Sequence, residues 1–72
     1  MNNNIFRKKR ISKKITLAQL GSITNLSKVQ IHNIETDKCF PSAKTLLTLM
    51  IILDIDAKEV YKYYHSVNWH LT

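Results

Sequence analysis

The segment Ser27 to Thr36, SKVQIHNIET, holds the chain's densest set of side chains able to act on a partner. At the 100° per residue of an α-helix, Ile31, Ile34 and Glu35 share one side of it. Val29, Asn33 and Thr36 take the opposite side, with His32 beside them and Lys28 at the leading end. That outer face mixes donors, acceptors and an apolar surface and carries no acid, so it does not repel a polyanion. Other chemistry is poorly provided for. His32, Cys39, His65 and His70 are scattered without metal-ligand spacing, so no metal or other cofactor is expected. Gly21 is the only glycine, which excludes a glycine-rich phosphate loop.

The rest of the chain must position that segment, and there is little of it. Seventy-two residues allow one small domain, too small for a cleft with its own lid, so an enzyme is not expected. A hydrophobic share of 44% is too high for a disordered tail. The formal charge of +6 asks for a polyanionic partner. The whole surplus lies in residues 1–14, in Arg7, Lys8, Lys9, Arg10, Lys13 and Lys14. Beyond them, cations and acids cancel. The longest apolar stretch, Leu49 to Leu53, is too short to cross a bilayer, and no signal-peptide pattern is present. With a single cysteine, Cys39, the expectation is a cytoplasmic protein without membrane attachment.

Capping signals divide the chain at regular intervals. Thr16 precedes Gln19 by three residues, Ser27 precedes Gln30, and Asp56 precedes Glu59, each a capping-box pair. Ser42, directly after Pro41, is a fourth N-cap candidate. The segments between predict helices over Asn4 to Lys13, Leu17 to Thr24, Lys28 to Thr36, Ala43 to Leu53 and Ala57 to about His65. Phe6 and Ile11 are the expected core residues of the first, Leu20, Gly21 and Thr24 of the second, Ile31 and Ile34 of the third, Leu46, Leu47, Leu49, Met50 and Leu53 of the fourth, and Val60 and Tyr64 of the fifth. The fold class is therefore all-α, a compact five-helix domain over residues 1–65. The short link Asn25, Leu26 and Ser27 gives residues 17–36 helix-turn-helix geometry. In residues 66–72, Val67, Trp69 and Leu71 alternate with polar residues. That tail either packs Trp69 back onto the fifth helix or forms a short strand over 67–71 at a dimer interface.

The stretch ITLAQLGSITNLSKVQIHNIETDKCFPSAKTLLTLMIILDIDAKEV resembles the helix-turn-helix family of phage lambda-type repressors and Cro, also called the xenobiotic-response-element type. The resemblance spans about residues 6–62 and is strongest in SKVQIHNIE, Pro41-Ser42 and LLTLMIILDID. It implies a lambda-repressor-like domain that binds double-stranded operator DNA. Lys28 would then reach a guanine edge or a phosphate, Asn33 an adenine edge, and Val29 a thymine methyl. Gln30 and His32 flank that face, although Gln30 also has a capping role. Thr16, Leu17 and the N–H groups opening the second helix would meet phosphate, as would Ser27 at the start of the third and Lys38 after it. Arg10 stands where the family's first-helix arginine pairs with the glutamate, here Glu35. There are departures too. Leu17 replaces a phosphate-binding glutamine, Asn25 replaces the turn glycine, and Asp37 sets a negative charge near the DNA-facing loop.

One helix in one groove reads only a few base pairs, so the expected unit is a homodimer on a palindromic operator. Ile51, Tyr61 and Trp69 are the expected dimer contacts, and Ile52 is expected in the core. Repression by occupying a promoter needs no further surface and is the default role; the resemblance implies that activation would use acids on or near the second helix, and Leu17, Ala18 and Gln19 offer none. An antitoxin or restriction-system controller would share every residue named. A protein-interaction module that has lost DNA binding is the competing class. No small-molecule ligand or membrane contact is expected.

Overall fold

In the computed structural model, residues 4–67 are described, and they form α1 (Ile5–Ser12), α2 (Leu17–Thr24), α3 (Lys28–Glu35), α4 (Ala43–Leu53) and α5 (Ala57–Ser66). The result is a compact all-α globule, and no strand occurs among the described residues. Each helix begins where a side chain can satisfy an orphan backbone N–H. The three capping boxes form reciprocally: the N-cap side chains of Thr16, Ser27 and Asp56 accept from Gln19, Gln30 and Glu59 backbone N–H. Ser42 caps α4 by accepting from Thr45 N–H.

The helix ends are less conventional for a chain with one glycine. Lys14, Asn25, Asp37 and Asp54 all sit in the left-handed region, with φ between 57° and 63°. Asn and Asp tolerate that conformation because their short polar side chains bond locally, while for Lys14 it costs about 1 kcal/mol. Gly21 meets a different demand. Its φ is ordinary, but a Cβ there would lie 2.7 Å from the Leu26 carbonyl oxygen. The α2–α3 corner closes because that Cβ is absent.

Phe6, Leu20, Ile31, Ile34, Leu49, Leu53, Ile55, Val60 and Tyr63 form the buried core, drawn from every helix. Three core expectations need correction, the first being Leu47 on α4, which is 60% exposed. Ile11 is 47% exposed, because Arg10 takes the inward direction at the end of α1. On α5 the buried ring is Tyr63, and Tyr64 is 43% exposed with its edge against Phe40. Ile52 is half-buried against the core as expected. Boundaries shift slightly: Asn4 is the N-cap of α1 and not its first turn, α1 and α3 each stop one residue early, and α5 runs to Ser66. Val67 is extended, and the strand expected over 67–71 lies, beyond that residue, outside the described residues, as does Trp69.

Candidate nucleic-acid interface

The corner between α2 and α3 is set by three local devices. Asn25 ends α2 in the left-handed conformation, and the Leu26 N–H donates to the Gly21 carbonyl at 3.1 Å. Ser27 then restarts the chain, accepting from Gln30 N–H at 3.1 Å while Gln30 Oε1 takes the Ser27 N–H at 2.8 Å. With Ile31, Ile34 and Glu35 buried, α3 lies with one side in the core and the other in solvent. Lys28, Val29, Gln30 and His32 are exposed, Val29 at 68%.

Two residues expected on that outer face turn out half-buried. Asn33 is partly covered, and its carbonyl receives the Lys38 and Cys39 N–H groups at 3.0 and 3.3 Å. Thr36 is also half-buried, and its hydroxyl donates to the His32 carbonyl at 2.8 Å. The exposed face is thus narrower than periodicity suggests, and it is concentrated on the first turn of α3. Gln30 retains its amide N–H groups for a partner, since the capping box uses only its oxygen.

The angle of α3 is held by Arg10 and Glu35. Arg10 Nε and Nη2 donate to the two Glu35 carboxylate oxygens at 2.7 and 3.1 Å, and Nη1 donates to the Ile15 carbonyl at 2.9 Å. The two side chains are only 12% and 4% exposed, so water screens the pair little. One guanidinium therefore ties α1, the α1–α2 link and the end of α3 together.

A second anchor at the same end of α3 was not foreseen. Asn4 is fully buried, and the two N–H groups of its amide are shared among three acceptors, the Ile34 carbonyl at 2.7 Å, Asp37 at 2.9 Å and the Tyr63 hydroxyl at 2.8 Å. The Tyr63 hydroxyl also donates to Asp37. Burial, and then the hydrogen bond and charge of Asp37, push the Tyr63 hydroxyl far above the usual phenol range, so it stays a donor. The expectation that Asp37 sets its charge toward a ligand is corrected. Its carboxylate turns inward onto Asn4 and Tyr63, and its left-handed backbone takes the role a glycine would have. In sequence Asn4 reads as the first residue of the helix, and nothing local marks it as a buried cap.

Around this corner the charge is unequal. Lys9 is 3.2 Å from Glu59, which removes it from the set expected to face a partner. Arg7, Lys8, Lys13 and Lys14 are exposed and enter no ion pair among the described residues. Lys14 shares a surface groove with Ile11, Thr16, Leu17 and Lys28, which unites the end of α1 with the starts of α2 and α3. Thr16 is exposed at the N-cap of α2, whereas Leu17 is half-buried against the core and leaves only an apolar edge in the groove. Lys38 is exposed beyond α3, apart from that groove. Lys14 was legible as a charge but not as part of the site, because its placement follows from the left-handed turn before α2.

Ile51 and Tyr61 are exposed at 82% and 66%, on α4 and α5, away from this corner. No group of His, Cys, Asp and Glu able to hold a metal occurs among the described residues. None of the described helices is long and apolar enough to cross a membrane. Comparison of the chain with models of known families, with characterised proteins and with solved structures gives no match.

Proposed function

We propose that the protein is a sequence-specific double-stranded DNA-binding regulator of the lambda-repressor and Cro type. The observation that carries this is the exposed, acid-free first turn of α3, held at a fixed angle by Arg10 and Glu35 beside the exposed Lys14. In this reading α3 enters the major groove. Lys28, Val29, Gln30, His32 and the uncovered edge of Asn33 meet base edges there. Thr16, Ser27, Lys14 and the N–H groups opening α2 take phosphates on one side, and Lys38 takes one on the other. Arg7, Lys8 and Lys13 raise encounter rates without selecting sequence. Repression follows from occupancy alone, and two copies on a palindrome supply the specificity that one short reading helix lacks.

The inward turn of Asp37 removes one reason for preferring a protein-interaction module, since no acid then faces the groove. A salt titration separates the two classes. Binding to random duplex DNA should weaken steeply from 50 to 200 mM salt, with a log–log slope near the number of phosphates neutralised. An affinity that barely changes over that range, or no affinity at low salt, would count against DNA binding.

A further inference from the structure

Two exposed lysines and an exposed isoleucine share a second groove at the α1–α2 corner, which the reading of DNA leaves unused. Lys13, Lys14, Ile15, Gln19, Ser22 and Ile23 line it, over about 490 Å³. Its lining carries no acid, and neither lysine enters an ion pair among the described residues. Gln19 Oε1 accepts from the Thr16 N–H at 2.8 Å, so the Gln19 amide N–H groups remain to donate. Ile23 is 56% exposed, and Ile15 is half-buried against the core. We infer that this groove seats an acidic segment of a partner protein, with carboxylates on Lys13 and Lys14 and one large apolar side chain on Ile23, and that the segment competes with DNA for Lys14. The competition rests on the proposed function; the docking does not.

Charge and shape together choose the occupant. The polar side chains around the groove are two ammonium groups, an amide with free N–H groups and a hydroxyl, a set that suits carboxylates. Phosphate would satisfy the lysines equally, but a duplex has no apolar side chain to cover Ile23. In the proposed docking the duplex meets the first turn of α2, and Ile23 lies about 9 Å further along that helix. At 100° per residue, Gln19, Ser22 and Ile23 also turn away from Leu17 and the groove it shares with Lys28. An anionic lipid surface would be met by several apolar side chains projecting together. Here Ile15 is recessed, and of the two isoleucines in the lining only Ile23 stands out.

Lys14 joins this groove to the DNA-facing one. It lines both, bordering Gln19 and Ile23 on one side and Thr16, Leu17 and Lys28 on the other. Its backbone φ is 59°, a conformation that Gly or Asn adopts more readily than lysine. A lysine held in that turn serves two surfaces at once. One ammonium does not pair fully with a carboxylate and a phosphate together, so a seated segment removes a phosphate contact and sets negative charge beside the duplex. Two exposed charge pairs and one covered apolar side chain make a weak site. A dissociation constant on the order of 0.1–1 mM is expected for a short peptide.

The test is an NMR titration of the full isotope-labelled chain, without DNA, with a short synthetic peptide that holds two leucines between runs of glutamate. The amide resonances of Lys13, Lys14, Gln19, Ser22 and Ile23 should shift. A peptide of glutamate alone should bind at least about tenfold more weakly. Ile23→Ser should weaken the leucine peptide about tenfold while leaving duplex affinity within about twofold, with the fold kept because Ile23 is exposed. Lys14→Gln should weaken peptide and duplex alike, and Ile51→Ser, on α4, should leave peptide binding within about twofold. Shifts confined to α4 and α5, or equal binding of the glutamate-only peptide, would overturn the inference. So would duplex DNA that shifts Ser22 and Ile23 as strongly as Lys28, or phosphatidylglycerol vesicles whose binding Ile23→Ser abolishes, since the groove would then belong to DNA or to lipid. A seated peptide that leaves a labelled duplex in place would overturn the shared use of Lys14. Peptide docking without duplex affinity refutes only the DNA reading, and duplex affinity without peptide docking refutes only this assignment.

Discussion

Replacing Glu35 by glutamine removes one charge from a pair that water hardly reaches. Glu35 is 3% exposed, and both of its carboxylate oxygens are occupied by Arg10, at 2.7 and 3.1 Å. Glutamine keeps the shape and one acceptor, but its NH₂ group then faces a guanidinium N–H and leaves Arg10 partly unpaired. Breaking a buried pair in this way costs about 3–5 kcal/mol, and the retained acceptor places Glu35→Gln near the lower figure. A domain of this size is stable by roughly 4–10 kcal/mol, so a loss of about 3 is a large fraction. In a thermal melt followed at 222 nm the midpoint should fall by about 12–24 °C. DNA affinity should fall with it, because the same bonds set the angle of α3. Replacing both partners by apolar residues, Arg10→Met with Glu35→Leu, should recover much of the stability, since no uncompensated charge remains. A Glu35→Gln midpoint within about 3 °C of wild type would refute the reasoning and leave the pair no more important than a surface contact.

Gly21→Ala should destabilise by about 1–2 kcal/mol in urea unfolding. The gain of up to 1 kcal/mol in helix propensity is outweighed by a Cβ placed 2.7 Å from the Leu26 carbonyl; a more stable variant would show that the corner yields freely. Tyr63→Phe should cost about 1–2 kcal/mol by removing the hydroxyl that donates to the Asp37 carboxylate. Because the folded-state Tyr63 pKa lies above the ordinary 10.0, its contribution is complete below pH 10 and declines as pH rises further. The stability gap between wild type and Tyr63→Phe should therefore shrink above pH 10, and a constant gap to pH 11.5 would contradict the assignment. Lys14→Gln should weaken binding to all duplexes alike and lower the salt slope by about one. Lys28→Ala should instead change which sequence is preferred, and the reverse assignment of the two lysines would show in the same titrations.

Helix positions were legible because local chemistry decides them. Thr16, Ser27 and Asp56 each need only a Gln or Glu three residues on, and no distant contact alters that. Helix rotation is a different matter. Tyr63 and Tyr64 are 100° apart on α5, and both fit the apolar stripe begun by Val60. What selects Tyr63 is its hydroxyl, which reaches Asn4, 59 residues earlier in the chain, and Asp37. The same holds for Ile11, displaced outward because Arg10 and distant Glu35 claim the inner side of α1. Asp37 reads in sequence as a charge near the ligand, and only its two inward partners show otherwise. Within the candidate site, the exposure of Lys28, Val29 and His32 was readable from periodicity. The partial burial of Asn33 was not, since it depends on how the loop carrying Lys38 and Cys39 folds back.

The central proposal is that a narrow face of α3 reads DNA sequence. Selection of bound duplexes from a random pool, with the full chain at about 100 mM salt, tests it most directly. The expected result is a palindrome whose half-sites lie about one helical turn apart, roughly 10–10.5 base pairs from centre to centre. A pool that shows no enrichment after repeated rounds, from a protein that remains folded, would contradict it.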